Sequence, residues 1–296
     1  MEQGAVAPTI LSGRQFTAQE IGDIQETVRE FPLLCWTELV ETICEHLSWF
    51  TPRGENKVES CAKALEKLER LGLLKLPVKR LHQRSRQRIE VGTRTQAQAE
   101  VSGPLADLEP IVLEPVMGKA AIGWWNEYVQ RYHPLGYKQP FGAHQRYFIV
   151  SGTGTRLGCM LFASSAWALA ERDTWIGWSE RDRARRLNWV LNQTRFLVFP
   201  WVQVKNLASK ALSLATLRIG RDWQERYGYQ PVLLETFVDA ERYIGTCYKA
   251  ANWIRLGLTR GRGRMDRHTR YLSTPKVIYV YPLVAEFRAF LCGQTR

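Results

Sequence analysis

Residues 195–204 read RFLVFPWVQV, residues 206–228 read NLASKALSLATLRIGRDWQERYG, and residues 231–239 read PVLLETFVD. The first and third stretches are short and apolar, as buried strands are, and the proline in the first predicts irregular pairing. The middle stretch opens with an asparagine and closes with a glycine, which are common helix boundaries. A strand, a long helix and a second strand in this order predict a mixed α/β domain.

The sequence on both sides of this unit continues the alternation of strands and helices. Short apolar stretches, turn residues and helical spacing of apolar residues predict the further elements. In the last predicted helix, one stripe of apolar positions is expected to be buried, namely Ile244, Cys247, Ala251, Ile254 and Leu258. The predicted strands cover 111–116, 146–152, 156–164, 258–264 and 276–283, and the predicted helices cover 121–133, 179–193 and 241–257.

Three short helices and an extended tail precede this domain. They predict a winged-helix-like, DNA-binding module over residues 1–78, with Lys57 and Lys63 on the third helix as candidate DNA contacts. An ordinary helical bundle stays open as the alternative, because glutamates balance the lysines of the third helix. The predicted helices cover 17–29, 36–49 and 58–72, and the tail LLKLP covers 73–77.

A basic segment separates the two parts. Residues 79–94 read KRLHQRSRQRIEVGTR, and a polar stretch follows, so a flexible linker is predicted over 79–109 and the mixed α/β domain over 110–296. Such arms often become ordered only against phosphate, which makes Arg84, Arg86 and Arg88 candidate nucleic-acid contacts. The alternative is a solvated spacer.

Composition narrows the class of partner. Lysine and arginine number 41 against 29 acidic residues, giving a net charge of +12, which suits a polyanion such as DNA better than a small metabolite. A merely basic surface is the alternative. The six cysteines show no metal-ligand spacing and are expected to be reduced thiols. No leader or membrane-spanning pattern is visible, so we expect a cytoplasmic protein with no membrane partner.

The densest basic run is LTRGRGRMDRHTR at 258–270. In a strand, Arg260, Arg262 and Arg264 would share one face, and the intervening glycines would let the backbone approach a phosphate chain. A solvated hairpin edge is the alternative. Three further basic residues are candidate nucleic-acid contacts: Lys205, Lys249 and Arg255.

Carboxylates in apolar segments could hold Mg²⁺ for phosphodiester cleavage, although the cofactor is left open. The candidates are Asp173, Glu235 and Asp239. The last two lie four residues apart on one strand, about 13 Å, so a site would need a carboxylate from another element. The alternative is that Glu235 is the buried partner of an arginine such as Arg195.

Tyr248 offers a second chemistry, because a tyrosine hydroxyl beside basic groups can attack a phosphodiester and hold a covalent DNA end. The alternative is packing with one polar tip. His133 and His144 could serve as bases, but lone histidines are more often structural.

Several motifs together resemble the DruA family of the Druantia anti-phage system, which is also encountered in transposable elements. They are NQTRFLVFPWVQVKNLASKAL at 192–212, LLETFVD at 233–239, GTCYKAANWIRLGLTRGRGR at 245–264, HPLGY at 133–137 and RDTWIGW at 172–178. The resemblance implies defence against foreign DNA or movement of an element. Other defence or transposition proteins are expected partners, and self-association into a homo-oligomer stays open.

The order of predicted elements is also similar to the acetyltransferase fold named for Gcn5. The overall expectation is therefore an α/β (α+β) protein with a winged-helix-like module before an acetyltransferase-like domain. That fold binds acyl-coenzyme A through a glycine-containing loop after its fourth strand. The corresponding stretch here, QVKNLASK at 203–210, contains no glycine, which counts against coenzyme A binding.

Three functions follow from these observations. The leading one is a DNA-binding, DNA-processing protein with transposase-like or nuclease-like strand cleavage. The second keeps DNA recognition without catalysis, and the third is an acyltransferase on an acetyltransferase-like fold, since fold alone does not supply function.

The domain division predicts where a protease cuts. Limited trypsin digestion of the DNA-free protein should cleave first within 79–94, because that basic segment is expected to be an exposed linker. Rapid cleavage within 206–256 would contradict the division.

Overall fold

The N-terminal part consists of a short hairpin and three helices. The computed structural model describes residues 9–52, 55–77, 89–140, 142–166, 169–259 and 274–294 of the chain. The hairpin pairs β1 (Thr9–Leu11) with β2 (Arg14–Phe16), and α1 (Ala18–Glu30), α2 (Trp36–His46) and α3 (Val58–Arg70) follow.

The three predicted N-terminal helices are confirmed. At the start of α1, the Thr17 hydroxyl accepts a hydrogen bond from the Glu20 amide, and the Glu20 carboxylate accepts one from the Thr17 amide. The strand-like tail predicted at 73–77 is wrong, since these residues pair with no described strand. Instead, the Gln25 side chain donates to the Leu73 carbonyl.

A seven-stranded mixed sheet forms the centre of the rest of the protein. Its strands lie in the order β10-β11-β9-β7-β6-β5-β4, and all neighbours are antiparallel except β7 and β9. This confirms the predicted mixed α/β domain and its acetyltransferase-like order of elements. The elements are β3 (Val101–Ser102), β4 (Val112–Pro115), α4 (Gly118–Tyr132), β5 (His144–Val150), β6 (Arg156–Ser164), α5 (Ala170–Ile176), α6 (Glu180–Arg186), β7 (Val190–Val198), β8 (Val202–Gln203), α7 (Leu207–Tyr227), β9 (Leu233–Asp239), α8 (Thr246–Ala250), β10 (Ile254–Leu258), β11 (Lys276–Pro282) and α9 (Phe287–Leu291).

The parallel pair at the centre is short. β7 and β9 pair from Val190 opposite Leu233 to Gln193 opposite Thr236, and no further. Thr194 is an extra residue in the pairing of β7 with β6. The irregularity predicted at the proline is confirmed, since the predicted strand 195–204 is interrupted there: β7 ends at Val198, and β8 pairs with β3 in another sheet. β7 and β9 therefore continue unpaired with each other toward the end of the sheet where α7 begins.

Two predicted helices are too long, and strands replace their second halves. The helix predicted over 179–193 ends at Arg186, because Val190 and the residues after it form a central buried strand. The helix predicted over 241–257 shrinks to α8, because Asn252 adopts a left-handed conformation with φ of 62°. Ile244 is 81% exposed, so the predicted buried stripe is wrong.

The N-terminal helices pack directly against the α/β part. The Phe31 ring lies 4.8 Å from the Trp189 ring and 4.6 Å from the Tyr229 ring, measured between centroids. The Arg185 guanidinium of α6 pairs with the Asp23 carboxylate of α1 at 2.7 Å. The two parts therefore share one hydrophobic core.

The second half of the predicted linker also lies on the α/β part. The Gly92 amide and the Thr95 hydroxyl each donate to the Glu127 carboxylate of α4 at 2.6 Å. β3 pairs in parallel with β8. Arg84, Arg86 and Arg88 lie outside the described residues, and the separability of the N-terminal module stays a prediction.

None of the described helices is long and apolar enough to cross a membrane.

The contact between the two parts predicts a large effect of one substitution. Phe31→Ala should lower the free energy of unfolding by about 3 to 5 kcal/mol, because Phe31 is fully buried between two aromatic rings. Urea denaturation followed by tryptophan fluorescence measures this loss. Leu33→Ala is the control, since Leu33 is 41% exposed and should change stability little. Equal losses in the two variants would contradict the packing described.

Candidate nucleic-acid interface

A buried arginine uses two of the three carboxylates that the sequence nominates for a metal. Arg172 of α5 is fully buried and pairs with the Glu235 carboxylate at 2.8 Å and the Asp173 carboxylate at 2.7 Å. It also donates to the Ala166 carbonyl at 2.9 Å. Burial lowers the pKa of Arg172, but the two carboxylates raise it by a larger amount, so the net pKa is above its ordinary value.

The other oxygens of these carboxylates also have partners. The second Glu235 oxygen accepts from the Ala166 amide at 2.8 Å. The second Asp173 oxygen accepts from the Arg183 guanidinium at 3.2 Å and the Leu169 amide at 3.1 Å, while the Trp178 indole donates at 3.1 Å to the oxygen that Arg172 contacts. This geometry favours the structural interpretation of Glu235, with Arg172 rather than Arg195 as its partner. Within the described ranges, no cluster of three or more acidic, histidine or cysteine side chains could hold a metal ion.

Asp239 lies apart from this cluster, at the end of β9. Its carboxylate accepts from the Glu241 amide at 3.1 Å and lies 3.7 Å from the Arg242 guanidinium. The structure gives Asp239 no hydrogen bond or ion pair that it shares with Glu235 or Asp173.

Tyr248 is buried inside the protein. Its hydroxyl donates to the Gln193 side-chain carbonyl at 2.8 Å, and its ring stacks on Tyr279 with centroids 5.3 Å apart. Burial raises the pKa of Tyr248, which opposes formation of the phenolate. This arrangement favours packing with one polar tip over a nucleophile that reaches DNA.

Three of the predicted basic residues are exposed on neighbouring elements. Lys205 precedes α7, Lys249 lies in α8 and Arg255 lies in β10, and their side chains face solvent. α8 packs against both α7 and β10. We name Lys205, Lys249 and Arg255 the basic surface.

The remaining predicted contacts lie elsewhere. Lys63 is exposed on α3 and Lys57 is half-buried just before it. Arg260, Arg262 and Arg264 lie outside the described residues. The chain leaves the described part after Thr259, whose amide donates to the Lys276 carbonyl at 2.8 Å.

Arg172, the buried partner of Glu235 and Asp173, was not among the residues predicted from the sequence. The signal was present in RDTWIGW at 172–178, where an arginine and an aspartate stand side by side among large apolar residues. Charged residues are almost never fully buried unless they are paired, so an arginine in such a segment predicts buried carboxylate partners.

Fold and site together define a mixed α/β protein with N-terminal helices, a buried arginine–carboxylate cluster and an exposed basic surface. The chain belongs to the DruA family, described as Druantia protein DruA, which matches residues 67–273. This confirms the resemblance that the motifs indicate. No curated protein matches the sequence.

Several solved structures with some likeness to the chain are acetyltransferases. The aminoglycoside acetyltransferase AAC(6')-Ib, in complex with coenzyme A and kanamycin, is 14% identical, and the match covers 60% of this chain and 99% of that one at a TM-score of 0.38. The spermidine N-acetyltransferase of Vibrio cholerae, in complex with coenzyme A and spermine, is 10% identical, with coverages of 57% and 94% and a TM-score of 0.36. Tetrahymena GCN5 is 13% identical, with coverages of 58% and 98% and a TM-score of 0.30. Likenesses this weak carry no argument about activity.

The buried cluster predicts a stability effect. Glu235→Gln should lower the free energy of unfolding by about 3 to 5 kcal/mol, because it removes one partner of a buried ion pair. Chemical denaturation measures the loss. Glu241→Gln is the matched control, because Glu241 is exposed just beyond the same strand. A Glu235→Gln protein as stable as the wild type would contradict the structural role.

Proposed function

We propose that this protein is a DNA-binding component of a Druantia anti-phage system. It recognises DNA, and the candidate carboxylates Asp173, Glu235 and Asp239 do not cleave it. The observation that carries the proposal is the contrast between two sets of charged residues. The basic surface is exposed and open to a partner. Glu235 and Asp173, by contrast, already have arginine and amide partners on their oxygens.

The charge of the chain supports a polyanionic partner. A net charge of +12 attracts DNA from a distance, and each lysine or arginine that contacts a phosphate releases a condensed counterion. Such contacts position a protein on the duplex without reading its sequence. Base recognition would then fall to another element, and exposed Lys63 on α3 supports the N-terminal helices in that role.

Only the order of elements supports the acyltransferase alternative, and a shared fold does not supply function. The stretch before α7 contains no glycine, and Asn206 takes the left-handed conformation there with φ of 66°. Lys210, in the first turn of α7, pairs with the Glu109 carboxylate at 3.0 Å. We therefore keep DNA recognition as the single proposal.

The basic surface predicts a change in the salt dependence of binding. The triple variant Lys205→Ala, Lys249→Ala and Arg255→Ala should weaken binding to every DNA sequence tested. The slope of log affinity against log salt should become shallower by up to about 2.7 units, if each residue neutralises one phosphate. Fluorescence anisotropy at several salt concentrations measures the slope.

A control variant separates this surface from net charge. Lys119→Ala, Arg181→Ala and Arg221→Ala remove the same charge from exposed positions on α4, α6 and α7. The slope of this control should stay close to that of the wild type. If both triple variants change the slope equally, binding does not depend on the basic surface.

The proposal also predicts the fate of the bound DNA. Labelled DNA incubated with the purified protein and Mg²⁺ should be shifted in a gel but neither cut nor covalently trapped. Products that disappear in Asp239→Asn or Tyr248→Phe would instead establish strand cleavage and overturn the non-catalytic proposal.

A further inference from the structure

Two arginines project from the same face of the sheet, on strands β5 and β7. Arg146 lies opposite Leu161 of β6, and Leu161 lies opposite Arg195. Residues directly opposite each other in a sheet share a face, and strands lie about 4.8 Å apart. The two arginines therefore lie roughly 10 Å apart at their backbones and can approach a common ligand.

This face is not the one that α8 covers. Tyr248 of α8 contacts Gln193, which lies opposite Phe162. Leu161 and Phe162 are consecutive in a strand and point to opposite faces. The Arg146 and Arg195 side chains therefore lie on the opposite face of the sheet from α8, which carries Lys249 of the basic surface.

Arg146 is buried without an acidic partner. Its side chain is 5% exposed, and its guanidinium meets the Tyr137 hydroxyl at 3.4 Å and the face of the Trp125 ring at 5.4 Å. Among the described residues, its Nε has no hydrogen-bond acceptor. Burial, and then the nearby Arg226, lower the pKa of Arg146, while Tyr137 and Tyr227 oppose that change.

Arg195 and His133 are neighbours, and like Arg146 they have no acidic partner among the described residues. The Arg195 guanidinium donates to the Gly136 carbonyl at 3.1 Å and to the Thr194 carbonyl at 2.7 Å, which are both uncharged acceptors. Burial lowers the pKa of Arg195. Burial, and then Arg195, lower the pKa of His133 to about 4.

The tautomer of His133 follows from its hydrogen bond. Its Nδ1 accepts from the Leu135 amide at 3.1 Å, so the neutral ring carries its proton on Nε2. That Nε2–H group is a donor available to an anion next to Arg195 without any change of charge on the ring.

Arg172 shows how the same chain treats a buried arginine that has only a structural role. It has two carboxylates within 2.8 Å, because a buried charge without a partner costs several kcal/mol. No described carboxylate contributes to the environment of Arg146, Arg195 or His133. The positive charges of Arg146 and Arg195 are therefore not balanced by an ion pair with a described carboxylate, which leaves them able to bind an anion.

We propose that Arg146, Arg195 and His133 form a binding site for a phosphate group carried by a nucleotide or by the end of a nucleic-acid strand. The Arg195 fork and the His133 Nε2–H group donate to the phosphate oxygens, and the Arg146 charge stabilises it from behind. A phosphate dianion matches two guanidinium charges, whereas one carboxylate would neutralise only one. The segment 133–139 contacts both arginines through the Gly136 carbonyl and the Tyr137 hydroxyl, and its Lys138 and Gln139 are exposed.

The test uses the full-length protein and four probes. Inorganic phosphate, a nucleoside 5′-monophosphate and two oligonucleotides of one sequence, with a 5′-phosphate or a 5′-hydroxyl, are titrated by calorimetry. The pKa of His133 is followed by NMR in parallel. Phosphate binding should raise that pKa by more than one unit, because the new negative charge stabilises the imidazolium ion.

The two main variants replace half-buried residues, so they should disturb the fold less than a change at buried Arg146. Arg195→Gln and His133→Gln should each weaken phosphate binding at least tenfold, while Arg221→Gln should leave it unchanged because Arg221 is exposed on α7. Arg146→Met is added only where its thermal unfolding matches the wild type.

Each outcome decides a point. If the protein prefers the 5′-phosphorylated oligonucleotide and Arg195→Gln abolishes this preference, the phosphate belongs to a strand end. If the protein binds the monophosphate but shows no such preference, the ligand is a free nucleotide. If no probe shifts the His133 pKa, or if Arg195→Gln binds phosphate as the wild type does, the site is refuted. Because the probes lack a duplex, failure of this test does not bear on duplex binding by the basic surface, which the salt titrations test separately.

Discussion

The ion pairs of Arg172 hold together the elements on one face of the central sheet. The arginine lies in α5, one carboxylate partner lies in β9, and a backbone carbonyl comes from the segment after β6. Arg183 of α6 reaches the same group of charges through Asp173. Because a buried charge requires a partner, removing Arg172 would leave the buried Glu235 carboxylate without its cation. The position of α5 and α6, and with them the N-terminal helices that pack on α6, depends on this cluster.

The same physical rule separates the roles of the other charged residues. Where a buried arginine has carboxylates, its role in this chain is structural, as at Arg172. Where buried or half-buried arginines donate hydrogen bonds only to neutral groups, as at Arg146 and Arg195, the missing counter-charge supports the proposed ligand. Exposed cations that no fold requires, such as Lys249, suit long-range attraction of DNA.

Much of the fold could be predicted from the sequence, and the failures have physical causes. The long helix α7, the strand β9 and the three N-terminal helices carry their own boundary signals, such as the capping box at Thr17. The segment 241–257 has helical spacing of apolar residues, but pairing with β11 turned its second half into an edge strand. The site was harder to predict, because Arg172 and Glu235 lie 63 positions apart in the sequence and only the fold brings them together.

The central claim is that Glu235 serves the fold rather than chemistry, and one double variant tests it most directly. Replacing Arg172 with Met and Glu235 with Leu removes both charges of the pair and leaves apolar side chains of similar size, an exchange that proteins often tolerate. The measurement is affinity for DNA together with protection of cells against phage. We expect the double variant to fold and to keep both properties, unlike Glu235→Gln alone. A stable double variant that binds DNA but gives no protection would contradict the account and assign Glu235 to catalysis.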